Sequence, residues 1–290
     1  MRVSIRCFGF PLAWYRPAAQ AAERAGLHGL WVPDHVVSMT TMAGGYPYSA
    51  HGQPSFEHHT PFADPMVMVG HLAAATSALH LGIGVFVLPL RHPLHAARAV
   101  MSVQQLSGGR LVLGVGVGWM REEFDAVGER FAGRGGRTEE AIAVMRRLWT
   151  GEPVRHEGRW FSFPELTVAP GAPAPPILIG GVSSAALDRA VRLGDGWYGP
   201  PGPVEQTAAH TDALDAALGR AGRDRGGFRI VARAPDAVPA VAGVLSLAAL
   251  AVDEAVVNVP RSLPSPVAVT DWISETAGRL YSEGVLPANY

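Results

Sequence analysis

Leu81-Gly-Ile-Gly-Val-Phe-Val-Leu-Pro-Leu90, continued by Arg91-His-Pro-Leu94, and Leu106-Ser-Gly-Gly-Arg-Leu-Val-Leu-Gly-Val-Gly-Val-Gly-Trp-Met-Arg-Glu-Glu123 decide the fold. Both contain an apolar, β-branched run that ends in a loop marked by glycine or proline, and residues 93–106 between them have helical period. Strand, helix, strand in that order is the rhythm of a parallel βαβ unit. The glycines inside the runs have a second consequence. A flat ring or a phosphate can approach main chain only where no Cβ stands in the way.

The same rhythm continues on both sides. Residues 3–8 read as the first strand, 17–25 as a helix with proline near its start and Gly26 as its stop, and 30–32 as a second strand ending at Pro33-Asp34-His35. Residues 39–63 are polar and glycine-rich without a period, and a loop that long inside a domain is usually functional. Asp64-Pro65 predicts a helix start, a cap followed by proline at the first helical position, with the helix running to about residue 79. A further helix is expected over 138–150, and residues 151–176 read as a proline- and glycine-rich insertion with a short hairpin. The fifth strand follows at 176–179 with its helix at 184–193, then strands at 196–198, 228–232 and 255–259. Eight strand-then-helix units predict an α/β fold, a closed (β/α)8 TIM barrel with insertions after strand 2 and before strand 5, formed by residues 1–290 as a single domain. An open doubly wound sheet is less favoured, because the count closes at eight.

A hydrophobic fraction of 48% with 17% charged residues supplies apolar surface for a large core. The formal net charge of −1, with arginines scattered among acids, argues against a nucleic-acid partner, which needs a basic stripe. One cysteine, Cys7, excludes an internal disulfide and fits a reducing compartment. The amino terminus lacks a secretory pattern, and the most apolar window, residues 238–252, falls short of the ~20 residues a bilayer demands. A soluble cytoplasmic protein with no membrane partner is expected.

In a barrel of this kind the site gathers at the carboxyl ends of the strands. His35 follows the second strand there, and its imidazole can give or take a proton near neutral pH. Gly114-Val-Gly-Val-Gly118 lacks the third glycine of a dinucleotide-binding GxGxxG and has no acid about 20 residues on. Gly180-Gly-Val-Ser-Ser184 joins a strand to a helix, where free N–H groups and the positive helix end can take an anion. His51, His58 and His59, with Glu57 and Asp64 nearby, have no metal-ligand spacing, so no metal site is expected. Tyr46, Tyr48, Phe56 and Phe62 in the same loop could close over a substrate, and Arg134 and Arg137 read as a structural, capped helix entry.

The glycine-punctuated strands, the Asp34-His35 pair and the Gly180-Gly-Val turn together resemble the bacterial-luciferase-like superfamily, and within it the branch that uses the deazaflavin F420. The resemblance covers residues 1 to about 200. It implies cofactor contacts at Asp34, Gly84, Val85 and Gly116, and a phosphate held by Gly180, Gly181 and Val182. It also implies a catalytic or substrate-orienting role for His35. Gly84-Val85 matches the position of a cis peptide bulge that, in the family, bends the ring toward its reduced form. Trp119 departs from the family, since sugar-phosphate and alcohol dehydrogenases of the branch carry a glutamate there. With Tyr46 and Phe62 it suggests a pocket for an apolar or planar substrate. The implied activity is hydride transfer between F420 and a small apolar organic molecule, by a homodimer. An FMNH2-dependent monooxygenase using O2, with a flavin reductase as partner, is the alternative. A non-catalytic flavin-binding protein is a further one, disfavoured by His35.

Overall fold

In the computed structural model, which describes residues 1–41, 45–49, 52–54 and 56–286, the two deciding runs form neighbouring parallel strands. The strands are β1 (Arg2–Arg6), β2 (Gly29–Val32), β3 (His80–Val87), β4 (Leu111–Gly116), β5 (Val154–Glu157), β6 (Ser162–Leu166), β7 (Ile177–Gly180), β8 (Gly196–Gly199), β9 (Arg229–Arg233) and β10 (Glu254–Asn258). Eight of them close a parallel barrel in the order β1-β10-β9-β8-β7-β4-β3-β2, with β1 pairing β2 through Ser4 and Gly29. The expected (β/α)8 barrel is therefore the fold. The insertion before the fifth barrel strand carries an antiparallel hairpin, β5-β6. Its turn is fastened by Glu140, whose carboxylate accepts from the Trp160 and Phe161 N–H groups and from His156 Nε2.

The helices are α1 (Tyr15–Arg24), α2 (Pro65–Ala75), α3 (Pro93–Leu106), α4 (Arg121–Ala126), α5 (Arg134–Leu148), α6 (Ser184–Leu193), α7 (Val204–Arg220), α8 (Ala240–Ala248) and α9 (Pro266–Ser282). Asp64 caps α2 as its sequence predicts, accepting from Met66 N at 2.9 Å and Val67 N at 3.1 Å. That helix stops about one turn earlier than expected. The Glu23 carboxylate accepts from the N–H groups of Ser77, Ala78 and Leu79 and draws this stretch out of the helical path. Helix α5 starts at Arg134 instead of 138, so the arginines of the expected approach lie in its first turn. Glycines at 135 and 136 let neighbouring side chains approach the helix start, since a Cβ on Gly135 would lie 2.7 Å from the Arg189 guanidinium and one on Gly136 3.3 Å from the Trp160 ring nitrogen. Short α4 was not anticipated.

Inside the barrel Trp31, Val112, Leu178, Tyr198, Val231 and Val256 pack together. The Trp31 indole fits only because residue 82 is glycine, since a Cβ there would stand 2.3 Å from the ring. Its Nε1–H donates to Glu254 at 2.8 Å, and the Ser4 hydroxyl donates to the same carboxylate at 2.6 Å. Between β3 and β4 the register slips by one residue from Ile83 to Phe86, and the cis Gly84-Val85 peptide lies in that bulge. Cys7 is buried, and burial pushes its thiol up to about 12, which suits an inert core residue.

Candidate active site

The carboxyl ends of the barrel strands surround a cavity of about 1350 Å³. Small-molecule pockets usually hold roughly 300–1,000 Å³, so this mouth has room for more than one small ligand. Asp34, His35, Gly84, Val85, Gly116, Gly180, Gly181, Val182, Tyr46, Phe62 and Trp119 all line it, so the residues expected to meet cofactor or substrate border one cavity.

His35 and Asp34 are adjacent yet do different work. His35 Nδ1 lies 3.1 Å from Glu123 Oε2, and the other Glu123 oxygen accepts from Val36 N at 2.6 Å. Glu123 comes from α4 and is only 1% exposed. With both Glu123 oxygens accepting, the imidazole carries its hydrogen on Nδ1 and keeps Nε2 free of that bond. Around the ring stand Phe56 at 5.1 Å, Phe62 at 5.2 Å and Trp119 at 6.1 Å between centroids. Asp34 instead takes the two Arg91 terminal nitrogens at 2.7 and 2.8 Å and Val87 N at 2.8 Å. Its burial raises its carboxyl pKa, with Arg91 opposing the rise. Its side chain thus ties the end of β2 to the end of β3.

Val85 covers a floor made by glycines: a Cβ on Gly116 would sit 2.4 Å from one of its methyls, and one on Gly180 2.9 Å from the other. Gly84 lies against the Tyr198 phenol, which an added Cβ would meet at 2.6 Å. At the next strand end Gly181 has φ +108° and its carbonyl accepts from Trp197 Nε1 at 2.8 Å. Ser183 then caps α6, its hydroxyl accepting from Ala186 N at 3.3 Å. Tyr46 packs edge-on against Trp119 at 5.1 Å and against Tyr48 at 5.4 Å. The loop histidines behave differently. His59 pairs with Glu57 in an exposed contact at 3.2 Å, His58 lines a smaller hollow beside the main cavity, and His51 lies outside the described residues. Among the described residues no cluster of three or more His, Cys, Asp or Glu side chains is placed to hold a metal, and no helix is long and apolar enough to cross a membrane.

Sequence reasoning gave Glu123 no role. It also missed Arg6 and Arg233, each the last residue of a barrel strand, at the end where barrel sites form. That position was the available signal. Burial and the nearby Arg233 lower the Arg6 guanidinium to about 10, leaving it a cation at neutral pH.

A family model described as luciferase-like monooxygenase matches residues 10–240. The chain belongs to that family. An uncharacterized Mycobacterium tuberculosis protein is 34% identical over 211 residues, spanning 71% of this luciferase-like chain and 73% of its own. The F420-dependent hydroxymycolic acid dehydrogenase of M. tuberculosis is 32% identical over 71% of this chain and 54% of its own. The FMNH2-dependent dimethylsulfone monooxygenase of Pseudomonas putida is 31% identical over 69% of this chain and 52% of its own. The luciferase-like family thus holds both deazaflavin- and flavin-dependent relatives of this protein.

Proposed function

We propose that this protein is an F420-dependent oxidoreductase that moves a hydride between the deazaflavin and a small organic substrate. The observation that carries the reading is the joining of two features in one cavity. One is a floor of main chain, valine methyls and glycines; the other is an imidazole whose Nδ1 is fixed by buried Glu123. The glycine floor fits a flat ring, because no polar side chain rises from Gly84, Val85, Gly116 or Gly180 to obstruct it. Gly180, Gly181 and Val182, with the first turn of α6, would hold the phosphate, and Asp34 would border the cofactor at the end of β2 through its main chain, its carboxylate being held by Arg91 and Val87 N. The bound deazaflavin supplies the two-electron chemistry.

The chain's own part is positioning and proton handling. Glu123 fixes the His35 tautomer and leaves Nε2 to hold or release the proton that accompanies the hydride. Tyr46, Phe62 and Trp119 wall the substrate from water. Dependence on FMNH2 is the second reading, supported by the P. putida relative, and would need a reductase to supply reduced flavin.

Titrating the purified protein with F420 and with FMN, followed by ring fluorescence, tests the proposal. Tighter F420 binding is expected. Tighter FMN binding moves the reading to the monooxygenase, and failure with both ends it. With an accepted substrate, His35→Ala should lower turnover about 10²-fold or more while cofactor affinity changes little. Unchanged turnover would remove His35 from the proton path.

A further inference from the structure

Four contiguous strand ends, those of β1, β10, β9 and β8, place an unusual set of groups on one side of the mouth. Arg6 Nε, Asn258 Oδ1, Arg233 Nε and the Tyr198 hydroxyl are all buried there without a hydrogen-bond partner among the described residues. Arg6 has no ion-pair partner among those residues, and its guanidinium lies over the Phe8 ring at 4.6 Å. The acid at hand is Asp236, which is 3.6 Å from an Arg233 terminal nitrogen and also accepts from the Asn258 amide. Glu254, deeper in the barrel, is already taken by Ser4, Trp31 and Arg229. The largely buried guanidiniums of Arg6 and Arg233 thus have one half-exposed carboxylate, Asp236, beside them.

Buried polar groups are almost always paired in folded proteins, so the three orphaned donors, Arg6 Nε, Arg233 Nε and the Tyr198 hydroxyl, on residues that line one cavity point to an acceptor ligand. Guanidinium forks match the planar oxygen pair of a carboxylate, and a phenol can donate to the same group. We propose that this quarter of the mouth is a carboxylate subsite, so that the substrate is an organic acid whose anionic end docks between Arg6 and Arg233 with Tyr198 donating to it. The orphaned donors suit a planar carboxylate, whereas a phosphate would crowd its extra oxygens toward Asp236 and Asn258 Oδ1. The Phe8 ring that Arg6 covers packs in turn against Phe56 and Phe62, which stand with Trp119 around His35, and Tyr46 packs on Trp119. The substrate class is thus an acid with an apolar or aromatic body. The subsite rests on the oxidoreductase reading only in calling the bound acid a substrate.

Calorimetric titration of the full chain with 3-phenylpropanoate and octanoate, each against its uncharged amide, tests the assignment. At least one acid should bind about tenfold or more tighter than its amide. Arg6→Met and Arg233→Met should each erase that preference while leaving F420 affinity unchanged. If a methionine variant fails to fold by circular dichroism, Arg6→Lys and Arg233→Lys replace it, and they should weaken acid binding by removing the fork while keeping the charge. Equal affinity for acid and amide, or no binding of either acid, overturns the subsite. So does loss of F420 affinity in the variants with acid preference intact, which would assign the arginines to the cofactor. Arginine-dependent acid binding in a protein that binds neither F420 nor FMN would leave the subsite standing and remove the oxidoreductase reading.

Discussion

Replacing Glu123 by glutamine isolates the contact on which the proposed proton role of His35 depends. The carboxylate accepts from Val36 N at 2.6 Å and from His35 Nδ1 at 3.1 Å, one bond to each oxygen. An amide has a single oxygen. It should keep the shorter main-chain bond and turn its NH2 toward Nδ1, which must then accept, moving the ring hydrogen to Nε2. Exchanging a bond to a charged acceptor, about 1.5–3 kcal/mol, for a neutral one of about 0.5–1.5 kcal/mol loses roughly 1–2 kcal/mol for each. With two such bonds the variant should unfold about 2–4 kcal/mol more easily in urea. Long-range ¹⁵N–¹H correlation of histidine-labelled protein reads the tautomer directly, with the His35→Asn spectrum identifying the resonance. Nδ1–H in the native protein and Nε2–H in the variant are expected, with F420 affinity preserved. A variant that retains the Nδ1 proton, or a native ring that already carries its hydrogen on Nε2, would refute the reasoning.

Two further outcomes follow from the barrel itself. Gly82→Ala puts a methyl 2.3 Å from the Trp31 ring and should cost about 3 kcal/mol, the upper end for overpacking, seen as a Tm lower by about 6–12 °C. The cost should shrink in a Trp31→Leu background, and equal costs in both would mean the indole is not the obstacle. His28, lowered to about 4 chiefly by burial with Glu254 opposing, is neutral in the folded protein where the unfolded chain already takes a proton. Its contribution is therefore fully present above pH ~6.5 and is lost as pH falls toward 4. Urea titrations at pH 7 and 5 should show His28→Gln losing less stability over that interval than the native protein, and equal losses would contradict the assignment.

Much of this was legible because local chemistry and fold agree. Asp64-Pro65 starts a helix by capping geometry alone, and the apolar runs of β3 and β4 can only be strands buried on both faces. His35 was visible because a barrel's chemistry sits after its strands. Glu123 was not, since an acid in a charged run looks solvated until short α4 turns it inward beneath the histidine. The early stop of α2 was equally hidden, because Glu23, more than fifty residues away, decides it. Both misses share a cause: a carboxylate's partners are set by tertiary approach, and residue type alone does not reveal which N–H groups it will meet.

The mouth is divided by how its polar groups are satisfied. On the β2, β3 and β4 side, Asp34 binds Arg91 and Val87 N while Glu123 binds Val36 N and His35, so three strand ends are braced by buried carboxylates. Acids so engaged cannot swing toward a ligand without leaving an N–H or guanidinium unpaired, which makes this side a fixed frame for the Gly84-Val85 floor and the imidazole. On the β1, β10, β9 and β8 side only the half-exposed Asp236 braces Arg233 and Asn258, and Arg6 Nε, Arg233 Nε and the Tyr198 hydroxyl stay unpaired among the described residues. A barrel that held both halves rigid would leave nothing to recognise, and one that held neither could not keep a proton donor in place. The braced half suits a cofactor ring and the proton beside it, and the unpaired half suits the molecule that must arrive, be told apart from others, and leave.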